Sequence, residues 1–352
     1  FRPEDSAELR VLTREMGIRA RVQLGADRGV DFQAFNRVRY EKADTWVAEQ
    51  EVRLVGFLDL GFSRYRVGDR TVLGMYAGLA GVRQGFRGTP IFARLANAGV
   101  ESAMAGGAQM GLSIANTEQQ SIPRLLQRRF PRSVRGSTIH GHAILLGPPY
   151  RTVRRHVVQR ATPDDLPELS DLVRRTRERY LVSVTLEPTA WSRLPGFRLD
   201  DLLLVRRRGR IVACLGLWDQ DALRRVVVCD YGRRERWLRA ALLRLRGLTG
   251  IAPLPRPGEA LRLLHTVFAA AEPGQEHVFG ALVRYACRER RGSGHHLLVI
   301  GLPETSPLRR TLRGLPGFTN VNVTLMLGWD AKVDAALHGV AVPGIRHEYA
   351  LI

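Results

Sequence analysis

The feature that most constrains the fold is the stretch Val72 to Phe130, in which two apolar runs flank a short loop and a helical segment. The first run, VLGMYAGLAGV, ends at Val82, and the second, MGLSIAN, ends at Asn116. Short apolar runs bounded by turn residues indicate buried strands. The segment between the runs contains Pro90, which suits the first turn of a helix. The stretch therefore predicts a strand, a loop, a helix and a second strand, which is a unit of α/β folds.

The loop RQGFRG, residues 83–88, joins the first strand to this helix. Its last residue, Gly88, gives the backbone the freedom to turn several N–H groups towards one point. The N-terminus of a helix attracts anions because its first N–H groups are unpaired and the helix dipole is positive there. The loop and the helix therefore predict an anion site of the size of a phosphate group.

The order of these elements, with Arg87 and Gly88 in the loop and Asn116 ending the second strand, resembles the acyl-CoA-binding core of the GNAT acyltransferase superfamily. That family has Arg/Gln-x-x-Gly-x-Gly/Ala after its fourth strand, and the matching window here is RGTPIF, residues 87–92. The Arg and the Gly that follows it are kept, whereas the two later small positions are Pro and Phe. An Asn at the end of the fifth strand is also common in the family.

The resemblance implies a cofactor, which is acetyl-CoA or another acyl-CoA, and an acceptor, which is a small-molecule or peptide amine. It implies no metal. The fourth strand, ending near Val82, and the fifth, beginning near Met110, are expected to splay apart and hold the cofactor between them. The cofactor-binding residues that the resemblance implies are Ala80, Val82, Phe86, Arg87, Gly88, Thr89, Pro90, Ile91 and Asn116.

From residue 157 the chain repeats the same order of elements after about 150 residues, so we predict two GNAT-like domains in tandem, each with a mixed α/β sheet. The first domain covers residues 1–150 and the second covers residues 157–331. The turn-rich bridge GPPYRTVRR, residues 147–155, is the predicted boundary. Residues 332–352 form a C-terminal tail that either adds a strand to a sheet or packs between the domains.

The second domain departs further from the family pattern. Its loop, EPGQEH, lacks the Arg-Gly pair and carries the carboxylates of Glu272 and Glu276. Two carboxylates at a pyrophosphate site would repel the ligand by like charge. Arg313 stands where the family often has a Tyr. We therefore expect the second domain to bind no CoA and to shape the acceptor cleft together with the first domain.

Candidates for proton transfer are few. In the family the base is often an acid on the fourth strand, but the run Leu73–Val82 contains no Asp or Glu. Tyr76 is the only ionisable side chain of that run, and it serves either as an acid or as a packed strand aromatic. The Tyr that often acts as the general acid in the family is Leu125 here.

His140 and His142 are spaced two apart in STIHGHAILL, so they are predicted to lie on one face of a strand. Such a pair is either a base, half of a metal site, or a solvent-facing pair. A third metal ligand is not evident in the sequence, which argues against a metal. His265, on the matching strand of the second domain, is the other candidate base.

Two functions from different classes fit these residues. The first is an acyl-CoA-dependent N-acyltransferase that transfers an acetyl group to an unidentified amine. The second is a non-catalytic GNAT-like protein that senses acyl-CoA or binds another protein. The absence of the usual base and Tyr favours the second, whereas Arg87, Gly88 and Asn116, which serve cofactor binding in the family, favour the first.

The charge of the chain does not by itself indicate nucleic acid. The net charge is +20, but Lys occurs only at Lys42 and Lys332, so nearly all of the 54 basic residues are Arg. These Arg are spread along the chain, as a GC-rich coding sequence would produce, and we do not expect binding to nucleic acid. No apolar run reaches the length of a membrane span, so no membrane contact is predicted. Three cysteines with no metal-type spacing predict a reduced, cytoplasmic protein. The sequence carries no signal for an oligomeric state.

Overall fold

The computed structural model of the protein describes residues 1–15, 22–117, 121–148, 150, 157–184, 188–244, 252–341 and 344–347. The strands within these ranges are β1 Val22–Asp27, β2 Lys42–Gln50, β3 Arg53–Val67, β4 Arg70–Val82, β5 Met110–Asn116, β6 Val134–Arg135, β7 Ile139–Leu145, β8 Val158–Arg160, β9 Val182–Val184, β10 Leu202–Arg207, β11 Arg210–Asp219, β12 Arg225–Tyr231, β13 Ala260–Leu261, β14 Leu263–Ala271, β15 Leu297–Pro303, β16 Gly317–Gly328 and β17 Ile345–Arg346. The α-helices are α1 Ser6–Glu15, α2 Ala34–Arg39, α3 Ile91–Ala105, α4 Ser121–Arg129, α5 Leu166–Arg177, α6 Arg233–Arg244, α7 Glu276–Glu289 and α8 Ala331–His338.

Tight turns build the first half of the sheet. The turn between β2 and β3 places Glu51 and Val52 at positive φ, 50° and 64°, which matches the twist of a two-residue hairpin. The turn between β3 and β4 contains Gly68, at φ 61°. Both turns hold β2, β3 and β4 in antiparallel order.

Strands β4 and β5 are parallel neighbours over only part of their length. They pair from Gly74 to Ala77 on β4, opposite Met110 to Ser113 on β5, and then separate. Helix α3 connects them, as a right-handed parallel crossover requires. The sequence predicts this separation, and it opens a gap between the free ends of the two strands.

The second half repeats this unit. Strands β14 and β15 are parallel and pair only from Leu263 to His265, opposite Leu297 to Val299. Helix α7 connects them, and β10 and β11 form the antiparallel hairpin beside β14. The order of elements and the short parallel pairing are the same in both halves. The structure therefore confirms a mixed α/β fold built from two similar units in tandem.

The two halves exchange their last strands. β16, from the second half, pairs with β5, and β7, from the first half, pairs with β15. β7 and β16 also pair with each other, from Ile139 opposite Asn322 to Ile144 opposite Gly317. Within the described ranges, 14 strands from both halves thus form one continuous sheet. The predicted boundary at residues 147–155 includes residues 149 and 151–155, which lie outside the described residues, and it stays a prediction.

A small second sheet combines strands from both halves. β1 pairs with β12, and β12 pairs with β13, all in antiparallel order. The apolar residues of this sheet, such as Val228 and Leu261, pack against Ala143 and Leu297 of the large sheet. The small sheet therefore covers the middle of one face of the large sheet.

The hydrophobic core lies on both faces of the large sheet. Leu169 and Leu172 of α5 pack with Trp218 on one face, and Phe279 and Leu282 of α7 pack on the other. Of the helices that the structure describes, none combines the length and the apolar composition needed to cross a lipid bilayer.

The described part of the C-terminal tail does both things that the sequence left open. β17 adds a parallel strand beside β9. The buried guanidinium of Arg346 donates a hydrogen bond to the carbonyl oxygen of Ala269 in the second half (2.9 Å), and the N–H of Ile345 donates to Oγ of Ser137 in the first half (3.2 Å).

Candidate functional site

A β-bulge interrupts β4 where it leaves β5. Leu58 of β3 lies opposite Ala80, and Leu60 lies opposite Ala77, so Asp59 faces two residues of β4 instead of one. The two are Gly78 and Leu79. A bulge leaves part of the ladder unpaired. Backbone groups of β4 therefore become available at the start of the gap, where they can donate to an oxygen atom of a ligand.

A cavity of about 470 Å³ opens at this gap. One part lies between β4 and helix α3, where Leu58, Met75 and Phe92 line it. The other part lies between the large sheet and the small sheet. Its residues share an apolar or small side chain and come from both halves: Leu24, Gly25, Ala26, Gly141, Ala143, Val226, Leu261, Leu263, Leu297 and Val299. The cavity is therefore a mostly apolar chamber that both halves are needed to build.

Few polar side chains face this chamber. Tyr76 of β4, Asn116 at the end of β5 and His265 of β14 are among them. Tyr76 is buried, and its ring centroid lies 5.3 Å from that of His347 and 6.1 Å from that of Tyr40. These ring contacts show that Tyr76 packs within the core as well as lining the chamber.

His265 is buried, and its Nδ1 has no hydrogen-bond partner in the described part of the protein. Burial lowers the pKa of His265 well below its usual value, the positive charge of Arg224 lowers it further, and Asp219 acts weakly in the opposite direction. The imidazole is therefore neutral at pH 7. A neutral imidazole can accept a proton, although a depressed pKa makes it a weaker base.

A buried ion pair stiffens the wall of the chamber behind the bulge. Arg28, which lines the chamber, pairs with Asp59, and both side chains are almost fully buried. Thr45 donates a hydrogen bond to the same carboxylate (2.6 Å). The guanidinium of Arg28 also lies 4.8 Å from the ring centroid of Phe32. These contacts fix Asp59 directly opposite the bulge, so side-chain contacts stabilise the bulge in addition to its backbone hydrogen bonds.

Comparisons with known proteins agree with this architecture. No family model matches the chain, and no curated protein matches its sequence. Among solved structures, Saccharomyces cerevisiae N-myristoyltransferase with bound myristoyl-CoA and inhibitors superposes with a TM-score of 0.61 at 10% identity, over 92% of this chain and 77% of that one. A GCN5-related glucosamine N-acetyltransferase region of a fungal multi-domain β-N-acetylglucosaminidase gives a TM-score of 0.63 at 14% identity. It spans 93% of this chain and 37% of the fungal one.

The protein has a tandem GNAT fold. At these identities the likeness concerns the fold, and the chemistry has to be argued from the residues of this chain. In the terms of this fold, β4, α3 and β5 are the core of the first GNAT unit, and β14, α7 and β15 are the core of the second.

The predicted cofactor residues of the first GNAT unit lie along one path. Ala80 and Asn116 line the chamber, and Val82 ends β4. The segment Arg87–Pro90 is exposed, and Gly88 adopts φ 86°, with open space where a Cβ would stand. Helix α3 begins at Ile91, with Pro90 as its N-cap residue. The free N–H groups of the helix thus point to a surface that leads into the chamber, and the cofactor role of these residues stays a prediction.

The two histidines predicted on β7 lie on one face of the strand, as expected, with ring centroids 6.2 Å apart. That face is not the one that meets the chamber. Gly141, between them, lines the chamber, whereas His140 and His142 line a separate cavity of about 320 Å³. The structure therefore brings Tyr76 and His265 to one chamber and leaves His140 and His142 outside it.

Sequence reasoning did not find the bulge at Gly78 and Leu79. A signal was available, because a glycine inside a strand pattern often marks a bulge or a close approach of the backbone. Sequence reasoning also did not find Arg28 and Arg224, which line the chamber. No local pattern distinguishes these two residues from the many other Arg of this chain.

The second GNAT unit keeps the bulge, but a carboxylate of its own loop lies at the expected anion site. Cys214 lies opposite Ala270 and Gly216 opposite Val267, which leaves Phe268 and Ala269 in a bulge of β14. The N–H of Gly274 donates to the carboxylate of Glu276 (3.1 Å), at the N-terminus of α7. Arg346 of the tail donates to the bulge itself. An acid of the loop thus accepts from one N–H at the expected anion site, and a guanidinium donates to a carbonyl oxygen of the bulge.

Proposed function

We propose that the protein is an acyl-CoA-dependent N-acyltransferase that moves an acetyl or another acyl group to an amine. One observation carries the proposal: β4 and β5 of the first GNAT unit separate at a bulge, and the gap opens into a chamber shared by both units. The neighbours in the structural comparison support it, since one is an N-myristoyltransferase with bound myristoyl-CoA and another is a glucosamine N-acetyltransferase region.

The cofactor would bind along β4. Its pyrophosphate lies at the N-terminus of α3, where unpaired N–H groups and the dipole attract an anion. Arg87 and Gly88 flank this position, and Arg87 already lies close to the end of β4, where its Nε donates to the carbonyl oxygen of Val82 (3.3 Å). The pantetheine arm follows Val82 and Ala80 into the gap, with Asn116 on the opposite side. The thioester then stands at the bulge.

The chemistry needs little covalent participation by the protein. The amine nitrogen attacks the thioester carbonyl carbon, a base takes one proton from nitrogen, the carbon–sulfur bond breaks, and the sulfur leaves as CoA thiolate, which takes up a proton. Backbone N–H groups at Gly78 and Leu79 would stabilise the negative charge that develops on the carbonyl oxygen. His265 is the candidate base, because it lines the chamber while His140 and His142 do not. Tyr76 is the candidate acid for the thiolate.

The apolar lining bears on both substrates. An acyl chain that enters the space between β4 and α3 meets Leu58, Met75 and Phe92, and each buried CH₂ contributes about 0.8 kcal/mol. The amine approaches from the space under the small sheet, which is apolar as well. We propose that the acceptor carries its amine on a largely apolar body, whether it is a small molecule or part of a peptide.

A panel of amines with acetyl-CoA and longer acyl-CoA thioesters tests the proposal, with free CoA thiol and acylated amine as the two readouts. His265→Ala should lower turnover by about 10²- to 10⁴-fold, the usual range for a lost base, without abolishing binding of the cofactor. The matched control is His338→Ala, at an exposed histidine of α8 that does not line the chamber.

The second candidate is a non-catalytic acyl-CoA sensor, and one observation favours it. Within the described residues, His265 is the only histidine that lines the chamber, and its depressed pKa makes it a weak base. Acyl-CoA should raise the melting temperature in either case, because a ligand that prefers the folded state stabilises it. A thermal shift without CoA release across the panel would support the sensor.

A further inference from the structure

The cavity of about 320 Å³ that holds His140 and His142 lies outside the acyl-transfer chamber. Its walls are β7, the beginning of β16, and the 3₁₀ helix Pro307–Leu312 with the loop that follows it. Arg309 and Arg313 line it together with the two histidines and Thr319. Four nitrogen-rich side chains thus face one space, which adjoins the chamber at Ala143 and Phe318.

Few carboxylates balance the positive charge of these side chains. Among the described residues, neither Arg309 nor Arg313 forms an ion pair with a carboxylate. Arg309 instead donates from Nη1 to Nε2 of His140 (2.7 Å), so that His140 is neutral and carries its proton on Nδ1. The nearest acid, Glu304, accepts a hydrogen bond from Thr138 (2.7 Å). The cavity therefore has a positive field that its own residues do not neutralise.

His142 adds an unused polar atom. Its Nδ1 lies 3.1 Å from the hydroxyl of Thr319, but its Nε2 is shielded from solvent and has no hydrogen-bond partner in the described structure. A shielded polar atom without a partner costs free energy, which a ligand that binds it would recover. Thr319 can in turn direct its hydroxyl towards either the histidine or a ligand.

We propose that this cavity binds the phosphate group of a small molecule. Arg guanidinium groups present parallel N–H donors that match two oxygens of a phosphate, and uncompensated cations in a concave site concentrate anions. One water occupies about 30 Å³ in the liquid. A cavity of about 320 Å³ is therefore larger than inorganic phosphate, which has only five heavy atoms, requires. An organic part of the ligand therefore has room beside the phosphate, and Phe318, whose side chain is exposed at the rim, offers it an apolar surface.

Proton uptake accompanies binding at this site. Burial, followed by electrostatic interaction with His140 and Arg309, lowers the pKa of His142 to about 4. The groups that face it are His140 on its own strand, Arg309 and Arg313 beside the 3₁₀ helix, and Glu304, which acts in the opposite direction on His140. A bound anion stabilises the imidazolium, so it raises the pKa of His142 towards its ordinary value.

Calorimetry on the full chain with inorganic phosphate tests the proposal. We expect saturable binding at one site, weakened about tenfold or more by Arg309→Gln or Arg313→Gln, as for loss of a charge-assisted hydrogen bond. Arg310→Gln is the matched control, because Arg310 belongs to the same 3₁₀ helix but does not line the cavity. The absence of saturable binding would overturn the proposal. An equal loss of affinity in Arg310→Gln would also overturn it, because it would indicate general attraction to a basic surface.

Two further arms make the test independent of how well the variants fold. In the unmodified protein, sulfate, which keeps its double charge across the range, should raise the NMR-measured pKa of His142, and an unchanged pKa would contradict the site. Saturating CoA should leave phosphate binding unchanged, because the proposed cofactor cleft is elsewhere. Competition by CoA would instead show that the phosphate belongs to the cofactor and would overturn the assignment to a separate molecule.

Discussion

Asn116, at the end of β5, lies directly opposite Asn322 of β16, so the asparagine expected to contact the cofactor is held in place by a strand from the other half of the chain. Asn322 is itself tied to β7, since its Nδ2 donates to the carbonyl oxygen of Ile139 (3.3 Å). The floor of the proposed site is therefore made jointly by both GNAT units. A site built in this way depends on the integrity of the whole chain.

The first prediction follows from this exchange of strands. A fragment that ends near residue 150 loses β16, and β5 and β7 then expose unpaired edges that favour aggregation. We expect the fragment to bind no acyl-CoA and to lack a cooperative melting transition. Circular dichroism and calorimetry measure both. Co-expression with residues 157–352 should restore binding, and a fragment that folds and binds alone would show that the exchange is dispensable.

The second prediction concerns which unit binds the cofactor. Arg87→Glu places a carboxylate beside the proposed pyrophosphate position and should abolish measurable CoA binding, because like charges repel. Arg313→Glu, the same reversal in the second unit, should leave CoA affinity nearly unchanged while it removes the binding of inorganic phosphate at the second cavity. Titration calorimetry with each ligand separates the two effects. Equal losses of CoA affinity would mean that both units contribute to the cofactor site.

The third prediction concerns the bulge. A Cβ at Gly78 would lie 2.9 Å from Cε1 of Tyr76, so Gly78→Ala must move the tyrosine ring or the bulge. Displacements of this kind at a reacting centre lower turnover by roughly 10²-fold. Gly85→Ala is the control, because a Cβ there meets nothing within 4 Å. Steady-state kinetics should show the loss in turnover for Gly78→Ala alone. Wild-type turnover in that variant would exclude a role for the bulge in catalysis.

The sequence predicted a large part of this fold because the relevant signals are local. The apolar runs and the helix that follows the Arg87–Gly88 loop both depend on residues close together in the chain. The exchange of β7 and β16 has no such signal. An apolar run shows that a strand is buried, but it does not identify its partner when, as for Asn116 and Asn322, the partner is some two hundred residues away.

The site was predicted only in part for the same reason. The spacing of His140 and His142 places both on one face of a strand, but which face meets the chamber depends on how the strand joins the sheet. The loop before α3, which is local, was placed from sequence, and its cofactor role stays a prediction. The position of His265, which comes from the other unit, and the register shift at Gly78 and Leu79 needed the assembled sheet.

The fourth prediction concerns acid stability. Burial lowers the pKa of His265 in the folded protein, whereas its pKa in the unfolded chain is about 6.5. The folded state therefore favours the neutral form, and its contribution is fully present above pH 6.5 and is lost as the pH falls below that value. The melting temperature should fall between pH 6.5 and pH 4.5, and it should fall less steeply in His265→Phe. The same slope in both proteins would show that other groups control acid unfolding.

The central claim is that acyl-CoA occupies the gap between β4 and β5, and a crystal structure of the complex with CoA tests it most directly. The account predicts the pyrophosphate at the N-terminus of α3, beside Arg87 and Gly88, and the sulfur within reach of the bulge at Gly78 and Leu79. Density for CoA between β14 and β15, where Arg346 and Glu276 now make their own contacts, would contradict it.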